Sequence, residues 1–325
     1  MEEILDVDLL AFEQGGESAR RAVVDGVMRS LANGFVYTTT DLSENLLDEV
    51  YERLEMFFGL PIESKREAAA PGTHGQTGYT GLLVETAAML DRPDWKEMLN
   101  WGDEIPLGHP LQVRFPANYP RRVLPEAQAP GISDILMEFH RRVLDVQRRF
   151  LRIIAVGIGC AEGFFDEMTT NGSHLTRAIH YPAMDLAPDD GHTWAGEHAD
   201  INLITALPRA TARGLQVKAG DPGEQTWIDV VAPEGHVIVN TGIMLERITN
   251  GLIPSGIHQV VADVDQPGDR YSVVQFCHPT PWTVLDPVPS CVGPDCPKRF
   301  APIGAGDLLT QVLYDINLIE DARRV

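Results

Sequence analysis

The sequence is short of the features that tie a chain to an oxidising compartment, a membrane or a nucleic acid. Four cysteines in 325 residues are too few for a disulfide scaffold of this length. Two of them, Cys291 and Cys296, stand together in "CVGPDC", but a closed zinc site would need two more thiolates or imidazoles nearby, so a loop with two thiols is the better reading. Basic residues are also scarce: 26 Lys and Arg face 47 Asp and Glu, a net charge of −21, with no basic run. Such a surface repels phosphate backbones and anionic lipid, so neither nucleic acid nor a membrane surface is an expected partner. No apolar run approaches the roughly 18 residues of a membrane span. The N-terminus "MEEILDVDLL" is acidic where a signal peptide carries positive charge, and a cytoplasmic protein is expected. What remains is ample hydrophobic content, 44%, for one large domain or two small ones.

The hydrophobic period divides the chain. In "DLSENLLDEVYERLEMFFGLP", Leu46, Leu47, Val50, Leu54, Phe57 and Phe58 recur at helical spacing until Pro61. Ile132, Leu136, Phe139, Val143, Val146, Phe150 and Ile153 form a longer helical stripe with Arg and Asp opposite. "GFVYTTT" is a short strand, and the Gly- and Pro-rich segment 62–130 reads as mostly connection. After residue 174 the period becomes two. "HLTRAIHYP", "INLITAL", "GLQVKAG", "TWIDVVAP", "HVIVNTG", "IHQVVADV" and "RYSVVQFCHP" are strand-length runs parted by turn residues. Without helix-length runs between them, an antiparallel barrel or sandwich is expected and a doubly wound sheet is disfavoured. The division is thus a mostly helical region at 1–130, then a long helix, a β core and a loop-rich tail ending in a helix at "AGDLLTQVLYDIN" over 131–325.

Chemistry concentrates in "EHADINLITAL". Alternate residues of a strand share a face, so His198 and Asp200 are expected to project together, and among the 10 histidines only His198 begins an H-x-D or H-x-E triplet. His258, in "SGIHQVV", belongs to a later strand that an antiparallel barrel can bring beside this pair. Two neutral imidazoles and one carboxylate form a facial triad, which holds non-haem Fe(II) and leaves three positions open. With one Asp the ion keeps a net positive charge suited to a chelating 2-oxo acid, whose distant carboxylate needs its own cation. Arg270 and Ser272 of "RYS" share a strand face and can supply a guanidinium fork and a hydroxyl.

These residues reach a known pattern. "HADINLITAL", "GLQV", "WIDVVAPEGHVIVNTG", "LERITNG", "SGIHQVV" and "RYSVVQFCHP", with "GFVYTTT", "FFGLP", Lys65 and "GYTG" upstream, resemble in their order the Fe(II)/2-oxoglutarate-dependent dioxygenases of the isopenicillin N synthase-like type. The resemblance implies a mainly β fold with a helical N-terminal region, a double-stranded β-helix (a jelly-roll, cupin-like barrel) packed on long helices. It implies His198, Asp200 and His258 as iron ligands, and Arg270 and Ser272 as the clamp on 2-oxoglutarate. Tyr181 matches a cosubstrate-reaching tyrosine and Phe276 a substrate-contacting position, each with core packing as its alternative. Arg177 shares a face with Ile179 and Tyr181 and could grip an acidic substrate group or form a rim ion pair. The implied cofactors are Fe(II), 2-oxoglutarate and O₂, with ascorbate as a candidate reductant.

Three departures from the family pattern stand out. "HQV" follows the distal ligand in place of His-Arg-Val, "NTGI" lacks an acid after Gly242, and His258 and Arg270 lie 12 positions apart (270 − 258), with "DVDQPGD" between them read as a hairpin tip. The expected activity is oxidation of an unactivated C–H of a small organic metabolite by hydroxylation, desaturation or ring closure, releasing succinate and CO₂. Two alternatives are an isopenicillin N synthase-like oxidase that does not use 2-oxoglutarate and an inactive binding barrel. The prime substrate and the oligomeric state are not readable.

Overall fold

The N-terminal half provides the helices that were expected and more strand than was expected. In a computed structural model describing residues 4–85, 92–103, 105–189, 192–220, 224–262 and 268–315, it comprises β1 (Asp6–Asp8), α1 (Leu9–Gln14), α2 (Glu17–Ser30), β2 (Phe35–Thr39), α3 (Glu44–Phe58), α4 (Ile62–Arg66), β3 (Gly78–Thr80), β4 (Glu97–Gly102) and α5 (Pro110–Arg114). Helix α3 starts where the Ser43 hydroxyl accepts from Leu46 N, and it buries Leu47, Val50, Leu54 and Phe57. The reading of 62–130 as mostly connection holds for most of the described segment but misses β4, which pairs along its whole length with the next strand in the chain. Five of its six residues are buried; a strand covered on both faces shows no alternation to read.

The long stripe becomes α6 (Ile132–Gly157), with Leu136, Phe139, Val143, Val146, Phe150 and Ile153 all buried. After α7 (Asp166–Thr169) come β5 (Leu175–Tyr181), β6 (Ala195–Ala199), β7 (Ile204–Leu207), β8 (Leu215–Ala219), β9 (Thr226–Asp229), β10 (His236–Thr241), α8 (Ile243–Ile248), β11 (Ile257–Val260) and β12 (Arg270–Cys277). A small pair, β13 (Val284–Leu285) with β14 (Ile303–Gly304), precedes α9 (Ala305–Asp315). The strands form one sheet in the order β1-β2-β10-β7-β12-β5-β4-β3 and a second in the order β6-β11-β8-β9. Every pairing is antiparallel except β1 with β2. Non-consecutive neighbours in both sheets make this the jelly-roll expected from the sequence.

Helix α6 covers the outer face of the larger sheet. The buried Gln147 donates from Nε2 to Ile204 O (3.1 Å) and Gln275 O (2.7 Å), tying the helix to β7 and β12. Ile179, Tyr181, Trp194, Val217, Ile238, Val260 and Val274 form a separate buried cluster, and several of them line a cavity of about 460 Å³.

Two expectations about strands are corrected here. "INLITAL" becomes strand only from Ile204, so Asp200 lies in the turn after β6, not on a strand with His198. And β11 and β12 belong to different sheets, so they do not form one hairpin; residues 263–267, most of the segment read as its tip, lie outside the described residues.

Candidate active site

Topology brings together what sequence separates. His258 on β11 pairs directly with His198 on β6, and their rings lie 4.2 Å apart between centroids. Asp200 joins them from its turn, which α8 holds through Ile243 N donating to Asp200 O at 2.8 Å. One ligand atom from each of the three residues lies within 4.8 Å of the other two.

The hydrogen bonds behind these groups leave the right atoms free. His198 Nδ1 lies 2.7 Å from Gly196 O and His258 Nδ1 3.1 Å from Gly256 O. A carbonyl only accepts, so each Nδ1 carries the hydrogen and each Nε2 keeps a lone pair. Asp200 Oδ2 accepts from Thr205 Oγ1 (2.5 Å) and Asn240 Nδ2 (2.7 Å), which leaves Oδ1 free among the described residues. Burial pushes His198 down to about 4, and the neighbouring His258 adds to this, so the ring is neutral at pH 7. Burial disfavours the charge of Asp200, but the two imidazoles and the hydrogen bonds from Thr205 and Asn240 more than offset it and hold the carboxyl below its usual range. Two imidazoles and one carboxylate facing one another suit a divalent iron ion.

The same cavity holds a guanidinium. Arg270 is 1% exposed, yet its Nε donates to Ala212 O (3.2 Å) and its Nη1 to Ser272 Oγ (3.2 Å), both neutral groups, while the Tyr181 ring lies 4.9 Å from its Cζ. No carboxylate pairs with it among the described residues. A buried charge left this way is expensive, and the position invites an anionic ligand.

Arg177 and Phe276 also line the cavity. Arg177 Nε donates to Asn100 Oδ1 (2.8 Å), Nη1 lies 3.4 Å from Glu85 Oε2, and its Cζ lies 5.6 Å from the Phe276 ring.

The comparisons with known proteins bear on this geometry. Residues 4–125 match the N-terminal region of the non-haem dioxygenases in morphine synthesis, and residues 172–279 match the 2OG-Fe(II) oxygenase superfamily. The chain belongs to the Fe(II)/2-oxoglutarate oxygenase family. Among similar proteins, the 2-oxoglutarate-Fe(II) type oxidoreductase hxnY of Emericella nidulans is 28% identical over 93% of this chain and 87% of its own. A solved 2OG-Fe(II) oxygenase family protein from Caulobacter crescentus superposes with a TM-score of 0.84 at 28% identity, covering 97% of this chain and all of that one. A full-length Neurospora crassa protein, solved in complex with alpha-KG, gives 0.83 at 26% identity, over 96% and 97%. This dioxygenase therefore uses Fe(II) and 2-oxoglutarate and acts on a small molecule.

Several cavity residues of the oxygenase escape a reading of the sequence. Asn240 comes from "NTGI", where attention falls on the acid missing after Gly242; the motif instead supplies a donor to Asp200 and a glycine whose added Cβ would lie 2.2 Å from Asn202 O. Glu85, Asp94 and Lys96 lie in the segment read as connection. Asp94 and Lys96 stand just before β4 and Glu85 twelve residues before it (97 − 85), positions that become informative only once β4 is known to be a strand. Leu309, Val312 and Leu313 of α9 also line the cavity.

Proposed function

We propose that His198, Asp200 and His258 hold Fe(II), that Arg270, Ser272 and Tyr181 receive the distal carboxylate of 2-oxoglutarate, and that the enzyme oxidises an unactivated C–H of a small organic metabolite. Bound iron would activate O₂ with 2-oxoglutarate as electron donor, so that cosubstrate, O₂ and R–H give succinate, CO₂ and an oxidised product; hydroxylation, desaturation and ring closure share this overall supply of electrons. The chain's own residues do the positioning. The Gly196 and Gly256 carbonyls fix the imidazole tautomers, and Thr205 and Asn240 orient the carboxylate. Arg270 anchors the far end of the cosubstrate so that its 2-oxo acid end reaches the triad, while Ile179, Leu207, Ile238 and Val274 keep that part of the cavity dry.

The observation that carries the cosubstrate assignment is the buried Arg270, without a carboxylate partner among the described residues, on the wall of the cavity that holds the triad. The family's use of 2-oxoglutarate supports it over an isopenicillin N synthase-like oxidase. The test is anaerobic reconstitution with Fe(II) and 2-oxoglutarate, then air, with succinate measured as candidate metabolites are added. Succinate equal to the cosubstrate consumed is expected; oxidised product without succinate would establish the oxidase. We further read the enzyme as cytoplasmic, with no nucleic-acid or membrane partner and with ascorbate as its reductant. The net charge of −21 supports the partner reading, and no helix among the described residues is long and apolar enough to cross a membrane.

A further inference from the structure

One wall of the cavity carries charged side chains that neither the triad nor the clamp uses: Glu85, Asp94, Lys96 and Arg177. Asp94 is fully engaged. Its Oδ2 lies 2.8 Å from Lys96 Nζ and its Oδ1 accepts from Gly196 N at 3.2 Å. Glu85 and Arg177 are less completely matched. Glu85 Oε2 lies 3.3 Å from Lys96 Nζ and 3.4 Å from Arg177 Nη1, longer than the roughly 2.7–2.9 Å of a charge-assisted hydrogen bond. Its Oε1 accepts no hydrogen bond among the described residues. Arg177 commits Nε to Asn100, and its Nη2 has no partner among them. An unused acceptor and an unused donor thus sit on two neighbouring side chains at the cavity wall, with the Phe276 ring 5.6 Å from the guanidinium as a flat apolar neighbour.

Charge then selects the ligand. Two carboxylates face two cations, so the wall is neutral as it stands. Burial raises the pKa of Glu85, but the Arg177 and Lys96 charges more than offset this and hold the carboxyl below its ordinary range, so it accepts and does not donate. A substrate carboxylate could take Arg177 only by leaving Glu85 partly unpaired in a largely apolar cavity, which is costly. A neutral carbonyl beside an N–H satisfies both atoms together, the carbonyl accepting from Nη2 and the N–H donating to Oε1.

We propose that, given the iron and cosubstrate positions assigned above, the prime substrate presents a neutral amide-type edge, as in an amide, lactam or imide, to Arg177 and Glu85, and that this pair disfavours substrates bearing a carboxylate there. The residues form a specificity site that the sequence motifs do not indicate, since Glu85 lies outside all of them.

The test uses protein loaded anaerobically with Fe(II) and 2-oxoglutarate, titrated with 2-pyridone and benzamide and with benzoate as the matched acid. Binding is followed by perturbation of the metal-to-ligand charge-transfer band and separately by calorimetry. Both amide probes should bind the parent about tenfold or more tightly than benzoate, a difference of about 1.4 kcal/mol. Glu85→Gln should shift that ratio about tenfold toward benzoate while leaving 2-oxoglutarate binding unchanged. Arg177→Lys, which keeps the cation but loses the fork, should weaken the amide probes most. Benzoate binding as tightly as the amides in the parent, no binding of either amide, or a ratio unmoved by both variants overturns the proposal. Failure of the parent to form the 2-oxoglutarate band would refute the cosubstrate assignment instead, and would be seen before any probe is added.

Discussion

Replacing Arg270 separates the role of the buried guanidinium from its contribution to the fold. The side chain is 1% exposed and among the described residues has only the Ala212 carbonyl and the Ser272 hydroxyl as hydrogen-bond partners. Without cosubstrate, Arg270→Ala therefore removes a buried charge that lacks a counter-ion among the described residues, which favours the variant, and leaves a cavity, which disfavours it. These terms oppose each other, so the net change in the stability of the unliganded protein should stay within about 2 kcal/mol. Cosubstrate binding has no such cancellation. Loss of a charge-assisted bidentate contact costs about 2–5 kcal/mol, which at about 1.4 kcal/mol per tenfold weakens 2-oxoglutarate roughly 30-fold to several thousandfold. Arg270→Lys should recover only part, because a point charge replaces a planar fork. The assay is anaerobic titration of 2-oxoglutarate into the Fe(II) protein, reading the charge-transfer band, with iron content measured in parallel. A second reading is thermal: at 100 times its Kd the cosubstrate should stabilise the parent by about 2.7 kcal/mol, and at the same concentration it should stabilise the variant by no more than about 0.9 kcal/mol. A variant that binds 2-oxoglutarate within about threefold of the parent, or that loses iron together with cosubstrate, would refute the anchoring role.

His198→Ala and Asp200→Ala should each fold, by far-UV circular dichroism, but lose stoichiometric iron; Asn240→Ala, which removes a donor to Asp200, should lower iron affinity about 10–100-fold, and unchanged affinity would show that the orienting bond is dispensable. Gly256→Ala should disturb the strand that carries His258, because the added Cβ would lie 2.6 Å from the Phe35 ring and 2.8 Å from Gly34 O; a loss of about 1–3 kcal/mol in chemical denaturation is expected, with weakened iron binding, and a silent substitution would mean that the two backbones part freely. Burial pushes His174 down to about 3 and His278 down to about 4. Their folded values lie below the unfolded value of about 6.5, so the unfolded chain binds more protons in this window, and stability should fall as pH drops from about 6.5 toward 4, by up to about 1.4 kcal/mol per pH unit for each residue. Urea midpoints equal at pH 7.5 and pH 5 would contradict this.

How much of this was legible in the sequence follows from what each feature requires. The strands after residue 174 were readable as a series of strand-length runs parted by turn residues, and α3 and α6 because each has one apolar face; β4, buried along its length as β7 and β10 are, stands outside that series in a Gly- and Pro-rich segment. That His198, Asp200 and His258 come together was readable, but the reason offered for Asp200 was incomplete: β6 ends at Ala199, and the carboxylate reaches His198 through a turn that α8 holds. The pairing of His198 with His258 depends on β6 and β11 being neighbours across sixty residues of chain (258 − 198), a fact of topology that no local period encodes. Arg270 was named from its spacing to Ser272, yet what distinguishes it is a missing counter-ion, and an absence in space has no signal in a one-dimensional pattern.

That absence gains meaning from the rest of the interior. Lys65 Nζ lies 2.7 Å from both oxygens of Glu97, and Glu97 also meets His180 Nδ1 at 2.7 Å, while the other ring nitrogen of His180 lies 2.9 Å from Asp269. Both nitrogens face carboxylates, and the Tyr79 hydroxyl also donates to Glu97, so these groups meet one another with no contact left open among the described residues. This chain therefore closes a buried charge cluster where no ligand is needed, behind the strand whose other face carries Arg177 and Tyr181. Facing the cavity it leaves three openings: Oδ1 of Asp200 with the two imidazole lone pairs, the Arg270 guanidinium, and the facing atoms of Glu85 and Arg177. Each is costly in an empty protein, and each is relieved by a different chemistry, a divalent cation, a carboxylate and a neutral donor–acceptor edge. All three open on one cavity, so metal, cosubstrate and substrate can be held together, as an oxidation coupled to a chelated 2-oxo acid requires.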